Sequence, residues 1–246
     1  MIDSRRLVLF FRDPLNLPPL VYLVLWGGVA LFARPAGDFG VETDFYGDFA
    51  HYSRIWMEDG PTLMNGFRGP FYYLLLGVAG KLLGDPFLAA KLLSVLGASL
   101  GLAFLGRLVR ILWDTPRAMV AMLFVGSNPV FVEYSYRACS DPVFWCLFAG
   151  TILLLFADSA RPLRLWALAG VTAGLAYLTR YNGVGLIPAV FLAAAVGQRP
   201  WSRSAARFAG FFGVWLLVIS PWALFLWSET GDPLWNKNYA NVAMNA

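Results

Sequence analysis

The 246-residue chain has few charged residues, with 14% Asp, Glu, Lys and Arg against 59% hydrophobic residues. A soluble domain of this length needs a larger charged fraction to keep its surface hydrated, so that class of protein is excluded. The apolar residues come in long runs, such as 17–33 and 208–227. Each run is about as long as a helix needs to cross ~30 Å of hydrocarbon. The sequence therefore predicts an all-α integral membrane protein.

Metal-binding and disulfide-forming residues are scarce as well. The chain has one histidine, and its two cysteines, Cys139 and Cys146, are seven residues apart on one predicted helix. That spacing separates them by ~10 Å of helical rise, which is beyond the reach of a disulfide. We expect both to be free core thiols, and we expect no zinc site of the usual kind. The net charge of +4 lies in short clusters between apolar runs, which argues against a nucleic-acid-binding surface.

The apolar runs predict seven membrane spans, at about 17–33, 86–105, 118–133, 142–157, 165–179, 183–197 and 208–227. An eighth apolar stretch, 70–84, either crosses the membrane or lies along the outer leaflet. Positive charge decides between these alternatives, because short cytoplasmic segments are enriched in Lys and Arg. If 70–84 lies along the leaflet, eleven of the 19 Lys and Arg residues fall in four segments that face the cytoplasm: 1–16, 106–117, 158–164 and 198–207. We therefore predict one multi-pass module over 1–246 in the cytoplasmic membrane, with a cytoplasmic N-terminus.

This topology brings polar segments of the chain together on the extracytoplasmic face. In the long first loop, Asp44, Asp48 and His51 fall on one face of a helix that is predicted to begin near Asp44. One interpretation is a solvated polar face, and another is a carboxylate base whose neighbours tune it. A divalent metal site is a weaker third alternative, because two carboxylates and one histidine underspecify such a site.

Two further segments on this face carry charged residues. Glu133 and Arg137 are spaced for a local ion pair, and Asp141 either caps the next helix or acts as a second acid. Arg180 lies in the short turn between the fifth and sixth spans. Such a cation either extends to lipid headgroups or uses its planar fork to hold a phosphate. A base, a second acid and a phosphate-binding cation on one face suit group transfer from a phosphorylated lipid carrier.

Five segments carry a more specific signal, in chain order Thr43–Tyr46, Gly66–Tyr73, Asn128–Asp141, Ala173–Gly183 and Pro221–Trp222. Together they resemble the GT-C superfamily of membrane glycosyltransferases, in particular its dolichyl- or polyprenyl-phosphate-mannose transferase-like branch. The resemblance implies a GT-C-like bundle of about seven transmembrane helices with a first-loop helix on the outer leaflet. Members of this branch usually continue with further helices or an outer domain, so we expect the chain to be truncated at its C-terminus.

The resemblance also implies roles for single residues. Asp44 matches the catalytic base, Asp141 the second acid, and Arg180 the cation that binds the donor phosphate. The supporting candidates are Arg137 for the phosphate and Tyr46, Asp48 and His51 for the base. Because the second loop lacks the paired acids of the metal-dependent branch, we predict neither a metal nor another cofactor.

The implied reaction moves a sugar from a polyprenyl-phosphate carrier to a lipid, glycan or protein acceptor in the cell envelope. The alternative function is that of a non-catalytic membrane protein that binds the lipid carrier, or of an inactive membrane core of a larger transferase. A transporter is less favoured, because predicted spans three to seven have almost no ionisable residues.

Overall fold

A computed structural model of the chain describes residues 13–34, 37, 42–63, 68–157, 163–197 and 201–236. All regular elements in these ranges are helical, and none of the ranges contains a β-strand. In chain order the helices are α1 (Pro14–Ala33), α2 (Ala50–Glu58, entered through a π-helical turn at Phe45–Phe49), α3 (Phe71–Leu83), α4 (Pro86–Leu112), α5 (Thr115–Gly126), α6 (Pro129–Tyr136), α7 (Asp141–Phe156), α8 (Leu163–Thr179), α9 (Leu186–Gly197, after a 3₁₀ turn at Tyr181–Gly185) and α10 (Trp201–Thr230).

Helix length and composition confirm the membrane class. Among the described helices, α1, α4 and α10 are long and apolar enough to cross a bilayer. Helices α3, α7 and α8 are apolar but shorter, and so is the segment Tyr181–Ala195, which includes most of α9. Every predicted span contains described helical residues, so the prediction of an all-α membrane protein is confirmed. The number of seven crossings stays a prediction.

One predicted span has a different shape from the one expected. Instead of one continuous helix over 118–133, α5 ends at Gly126 and α6 begins at Pro129, with a bend of 70° between them. The Asn128 side chain caps α6 by accepting hydrogen bonds from the Val130 and Phe131 amides, at 3.0 and 3.2 Å. A capping Asn followed by Pro at the first helical position starts a new helix, and this local signal outweighs the continuous apolar run.

Small residues let the central helices approach closely. On α4, a Cβ atom added to Gly97 would lie 2.7 Å from the carbonyl oxygen of Pro142 on α7. On α8, Gly170 and Gly174 face α10, and a Cβ atom on either would collide with Phe211 or Val218. Helices in lipid gain stability from close van der Waals packing rather than from the hydrophobic effect, so small residues concentrate at such contacts.

Polar contacts distinguish the two ends of the bundle. At one end, Arg110 pairs with Asp13 at 2.9 Å, and Arg107 donates to the Asn16 side chain at 2.6 Å. This contact joins two of the segments that were predicted to share the cytoplasmic side, while Arg5, Arg6, Arg12, Arg161 and Arg199 of the same prediction lie outside the described residues. At the other end, Lys91 of α4 donates to the carbonyl oxygens of Ala30 and Arg34, at 2.6 Å each. The candidate catalytic residues all lie at this second end.

Candidate active site

A cluster in the first loop consists of two aspartates joined by one arginine. Arg68 donates from Nη1 to Asp48 Oδ2 at 3.0 Å and from Nη2 to Asp44 Oδ2. Tyr73 of α3 also donates to Asp48 Oδ2, at 2.8 Å. The Asp44 side chain is 53% exposed, whereas that of Asp48 is 6% exposed. Asp48 therefore holds Arg68 in place, and Asp44 presents its carboxylate to solvent.

The local sequence explains how this cluster forms. The π-helical turn places Phe45 and Phe49 in the core and turns Asp48 inward. The Arg68 guanidinium lies 4.8 Å from the centre of the Phe49 ring, in a cation–π contact. π-helical turns of this kind occur frequently at functional sites.

Charge pairing determines the protonation of the cluster. Burial lowers the pKa of Arg68, but attraction to Asp44 and Asp48 outweighs burial and holds that pKa above its ordinary value. Burial, together with the negative charge of Asp48, raises the pKa of the Tyr73 hydroxyl. Tyr73 therefore stays protonated and keeps donating to Asp48 at neutral pH.

A second cluster lies where α7 begins. Arg180 Nη1 donates to Asp141 Oδ2 at 2.7 Å and to Ser140 Oγ at 3.4 Å. Both charged side chains are partly exposed, at 27% for Arg180 and 37% for Asp141. Asp141 also borders a cavity of about 310 Å³, lined mainly by apolar side chains of α6 and α7 such as Phe131 and Trp145.

The two clusters are close neighbours. Gly69, next to Arg68, packs on the backbone of Leu178 so tightly that an added Cβ atom would lie 2.5 Å from the Leu178 carbonyl oxygen. The Tyr72 side chain is fully buried between the clusters, and its hydroxyl has no hydrogen-bond partner among the described residues. Burial raises the pKa of Tyr72, and the negative charge of Asp141 raises it further while Arg68 opposes that increase. The clusters thus form one site.

A buried acid fixes the first loop to the second. Glu42 has no exposed surface, and its Oε1 accepts a hydrogen bond from the Ala138 amide at 3.1 Å. Its Oε2 lies 3.6 Å from the Arg34 guanidinium. Glu42 is two residues before Asp44, and Ala138 is three residues before Asp141. This contact therefore positions one candidate acid relative to the other.

The structure brings together four of the predicted site residues: Asp44 with Asp48, and Asp141 with Arg180. Arg137 pairs with Glu133 at 2.9 Å, which was the alternative interpretation of their spacing.

The prediction that Asp44, Asp48 and His51 share one functional face is corrected. His51 is exposed and lines a separate groove, together with Tyr46, whose ring stacks on Phe87. The reason is that a π turn advances fewer degrees per residue than the α-helix assumed in the prediction.

Arg68 and Tyr73 complete the first cluster, although reasoning from the sequence gave neither a role; both lie in a segment that carried the resemblance. The sequence signal that could have indicated them was Asp48, because a carboxylate that is buried needs a cation and hydrogen-bond donors. The first loop holds several cations, and only the fold shows which of them pairs with Asp48.

Within the described residues, no group of three or more His, Cys, Asp and Glu side chains lies close enough together to hold a metal ion. Cys139 and Cys146 are free thiols, as predicted.

Comparisons with known proteins agree with the resemblance. The profile of the dolichyl-phosphate-mannose-protein mannosyltransferase family matches residues 67–225, a range that includes Arg68, Asp141 and Arg180. The chain is also 28% identical, over 170 residues, to undecaprenyl phosphate-alpha-4-amino-4-deoxy-L-arabinose arabinosyl transferase 1 of Pseudomonas fluorescens. The match covers 65% of this chain and 30% of the length of that relative. No solved structure matches the chain. Because the family profile covers more than half of the sequence, the chain belongs to the dolichyl-phosphate-mannose-protein mannosyltransferase family, within the GT-C membrane glycosyltransferases.

Proposed function

We propose that the protein transfers a sugar from a polyprenyl-phosphate carrier to an acceptor on the extracytoplasmic face of the cytoplasmic membrane. The observation that carries this proposal is the site itself. An exposed carboxylate, Asp44, lies beside the Arg68 guanidinium, and a second guanidinium, Arg180, follows close by in a tight turn. Family membership and the name of the arabinosyl transferase relative support a lipid-phosphate-linked donor.

Asp44 acts as the general base. It accepts the proton of the acceptor hydroxyl or amine while the acceptor atom bonds to the anomeric carbon of the sugar. An aspartate is ionised at neutral pH but is a weak base, so placement must supply much of the rate. The contacts of Arg68 support this role, because Arg68 bonds to Asp44 and is itself held by Asp48 and the Phe49 ring.

The lipid phosphate leaves with the electron pair of its bond to the sugar, and the configuration at the anomeric carbon is inverted. Arg180 stabilises the charge that develops on this leaving group. Among the described residues, the side-chain hydrogen bonds of Arg180 all use Nη1, so Nη2 and Nε remain available for phosphate oxygens. Asp141 orients Arg180 in the same way that Asp48 orients Arg68.

The cavity beside Asp141 suits the donor lipid. Its walls are mostly apolar and come from α6 and α7 near the bend between α5 and α6. Such a surface accommodates isoprenoid units, while the polar pair of Asp141 and Arg180 lies at its edge. A protein that only bound the carrier would not need the exposed, oriented carboxylate of Asp44, so we favour catalysis over carrier binding.

The test replaces the base. Asp44→Asn keeps the side-chain volume and removes the proton acceptor, so sugar transfer should fall by roughly 10²- to 10⁴-fold. Transfer is measured with purified protein in liposomes that contain a polyprenyl-phosphate-linked labelled sugar and envelope lipids as acceptors. The matched control is Asp59→Asn, an exposed acid in the same loop that contacts neither cluster; it should leave turnover near that of the wild type. Turnover of Asp44→Asn within about tenfold of the wild type would remove Asp44 from the mechanism.

A further inference from the structure

A groove of about 620 Å³ lies between α2 and α3, on the side of α2 that carries His51. One wall comes from α2 and includes His51, Arg54 and Glu58. The other wall comes from α3 and includes Leu76 and Lys81. None of these side chains takes part in the two acid–arginine clusters, so the groove is separate from the site described above.

Close helix packing forms the floor of the groove. A Cβ atom added to Gly77 would lie 2.6 Å from Cγ of Met57 and 3.1 Å from the carbonyl oxygen of Ser53. Only a glycine lets α3 approach α2 this closely, which leaves the longer side chains of both helices to form the rims. The groove is therefore formed by the close packing of α2 against α3.

The rims carry a net positive charge. Arg54 and Lys81 are both exposed, and neither makes an ion pair with any residue in the described part of the chain. They outnumber the one acid among the lining residues, Glu58, which is likewise not ion-paired there. Two cations around an open groove attract an anion of modest size.

An apolar row borders the cationic rim. Leu74, Val78 and Leu82 follow at intervals of four residues along α3, so they lie on one face, and they are 38%, 50% and 80% exposed. In a membrane protein, an exposed apolar face on a 13-residue helix faces lipid, and flanking cations lie at the headgroup level. Lys81 is next to Leu82 in the chain, so its ammonium lies near this boundary.

We propose that this groove binds the headgroup of an anionic phospholipid from the leaflet on the site's side of the membrane. Arg54 and Lys81 hold the phosphate, and the acyl chains lie along the row of Leu74, Val78 and Leu82. A free phosphate ion would not use that row, which is why the lipid is the occupant. The bound lipid supports the hairpin of α2 and α3, whose helices supply Asp48 through the preceding π turn and Tyr73.

The experiment measures lipid binding alone, so it does not depend on transfer activity. Purified protein in a neutral detergent is titrated with phosphatidylglycerol or with phosphatidylcholine, and bound lipids are counted by native mass spectrometry. Wild type should bind at least one phosphatidylglycerol more tightly than any phosphatidylcholine. The double variant Arg54→Gln, Lys81→Gln should lose about 25-fold in this affinity, at roughly fivefold for each cation.

The control is the double variant Arg164→Gln, Arg203→Gln, which removes the same charge from exposed positions on α8 and α10. It should bind phosphatidylglycerol like the wild type. Equal loss in both double variants, equal affinity for the two lipids, or competition by inorganic phosphate as strong as by phosphatidylglycerol would each overturn the proposal. Thermal unfolding of the test variant in neutral detergent should match the wild type, because neither cation has an ion pair to lose among the residues that the structure describes.

Discussion

Arg68 connects two carboxylates that would otherwise repel each other. Its two terminal nitrogens reach different aspartates, so the planar guanidinium sets the distance between Asp44 and Asp48. Asp48 is nearly buried and also accepts from Tyr73, which makes it the fixed side of the bridge. Arg180 repeats this arrangement with a single acid, Asp141. Both arginines therefore pair with aspartate, but Arg68 is more buried than Arg180 and bridges two aspartates where Arg180 contacts one.

This difference predicts separate effects of replacing each arginine by lysine. Arg68→Lys keeps the charge but leaves one aspartate unbridged, so it should lower the free energy of unfolding by about 1–3 kcal/mol. Arg180→Lys should leave stability near the wild-type value and weaken the binding of polyprenyl phosphate, because an ammonium lacks the paired geometry. Thermal unfolding and lipid titration of both variants in the same detergent measure the two effects.

Arg203→Lys, at an exposed position on α10, serves as the control and should change neither quantity. Unchanged polyprenyl-phosphate affinity in both Arg180→Lys and Arg180→Ala would exclude Arg180 as the phosphate-binding residue. Lower polyprenyl-phosphate affinity in Arg180→Ala with full affinity in Arg180→Lys would indicate simple charge attraction in place of a bidentate guanidinium contact. Unchanged stability of Arg68→Lys would show that one contact is enough to hold the first loop.

The elements of the site are short and irregular, and they are held together by contacts between loops. The π turn before α2, the start of α3 and the start of α7 each contribute one or two residues. Glu42 joins the first of these segments to the last through the Ala138 amide. A buried carboxylate that accepts a backbone hydrogen bond is costly to remove, because the amide is then left without an acceptor.

Glu42→Ala should therefore destabilise the protein by about 1–3 kcal/mol and reduce transfer through misplacement of Asp44. Glu42→Gln, whose amide oxygen still accepts from the Ala138 amide, should retain more of the stability and more of the transfer rate than Glu42→Ala. The measurements are thermal unfolding in detergent and initial transfer rates for the two variants. The control is Glu229→Ala, an exposed acid at the end of α10, which should behave like the wild type. If Glu42→Ala matched this control in both measurements, Glu42 would have no positioning role.

The sequence predicted the helices far better than the side-chain pairing within the site. Long apolar runs gave the positions of α1, α4 and α10, because the bilayer fixes the length of a spanning helix. The break at Asn128 and the π turn at Phe45–Phe49 were missed, because both depend on local capping and packing that periodicity does not report. Arg68 was not assigned a role, because its partners lie 20 and 24 residues away in the chain.

At the scale of the whole molecule, polar contacts separate the bundle into two ends. One end carries the Asp13–Arg110 pair, and the other carries both acid–arginine clusters together with the buried Lys91. Trp222 of α10 also meets this second end, donating to the Tyr181 hydroxyl at 3.0 Å. The fold thus brings residues from the first loop, the second loop, the turn after α8 and the last helix to one face.

The distribution of positive charge predicts that this face is extracytoplasmic. In a background with both native cysteines replaced by alanine, Asp59→Cys and Leu234→Cys should react with an impermeant maleimide in intact cells. Ser202→Cys, at the opposite end of α10, should react only after permeabilisation. Alternating sides of this kind are expected from the bias of Lys and Arg toward cytoplasmic segments. Labelling of Ser202→Cys from outside would invert the orientation and place the site on the cytoplasmic face.

The most direct test of the central claim is the class of sugar donor that the purified chain uses in liposomes. One sample receives a polyprenyl-phosphate-linked labelled sugar, and a second receives the same sugar on a nucleotide diphosphate. Envelope lipids, glycans and proteins serve as acceptors in both samples, and both released polyprenyl phosphate and labelled product are quantified. The account predicts label transfer with equimolar polyprenyl phosphate release in the first sample, none in the second, and loss of transfer in Asp44→Asn. Transfer from the nucleotide sugar, or intact lipid donor that is bound but never consumed, would contradict it.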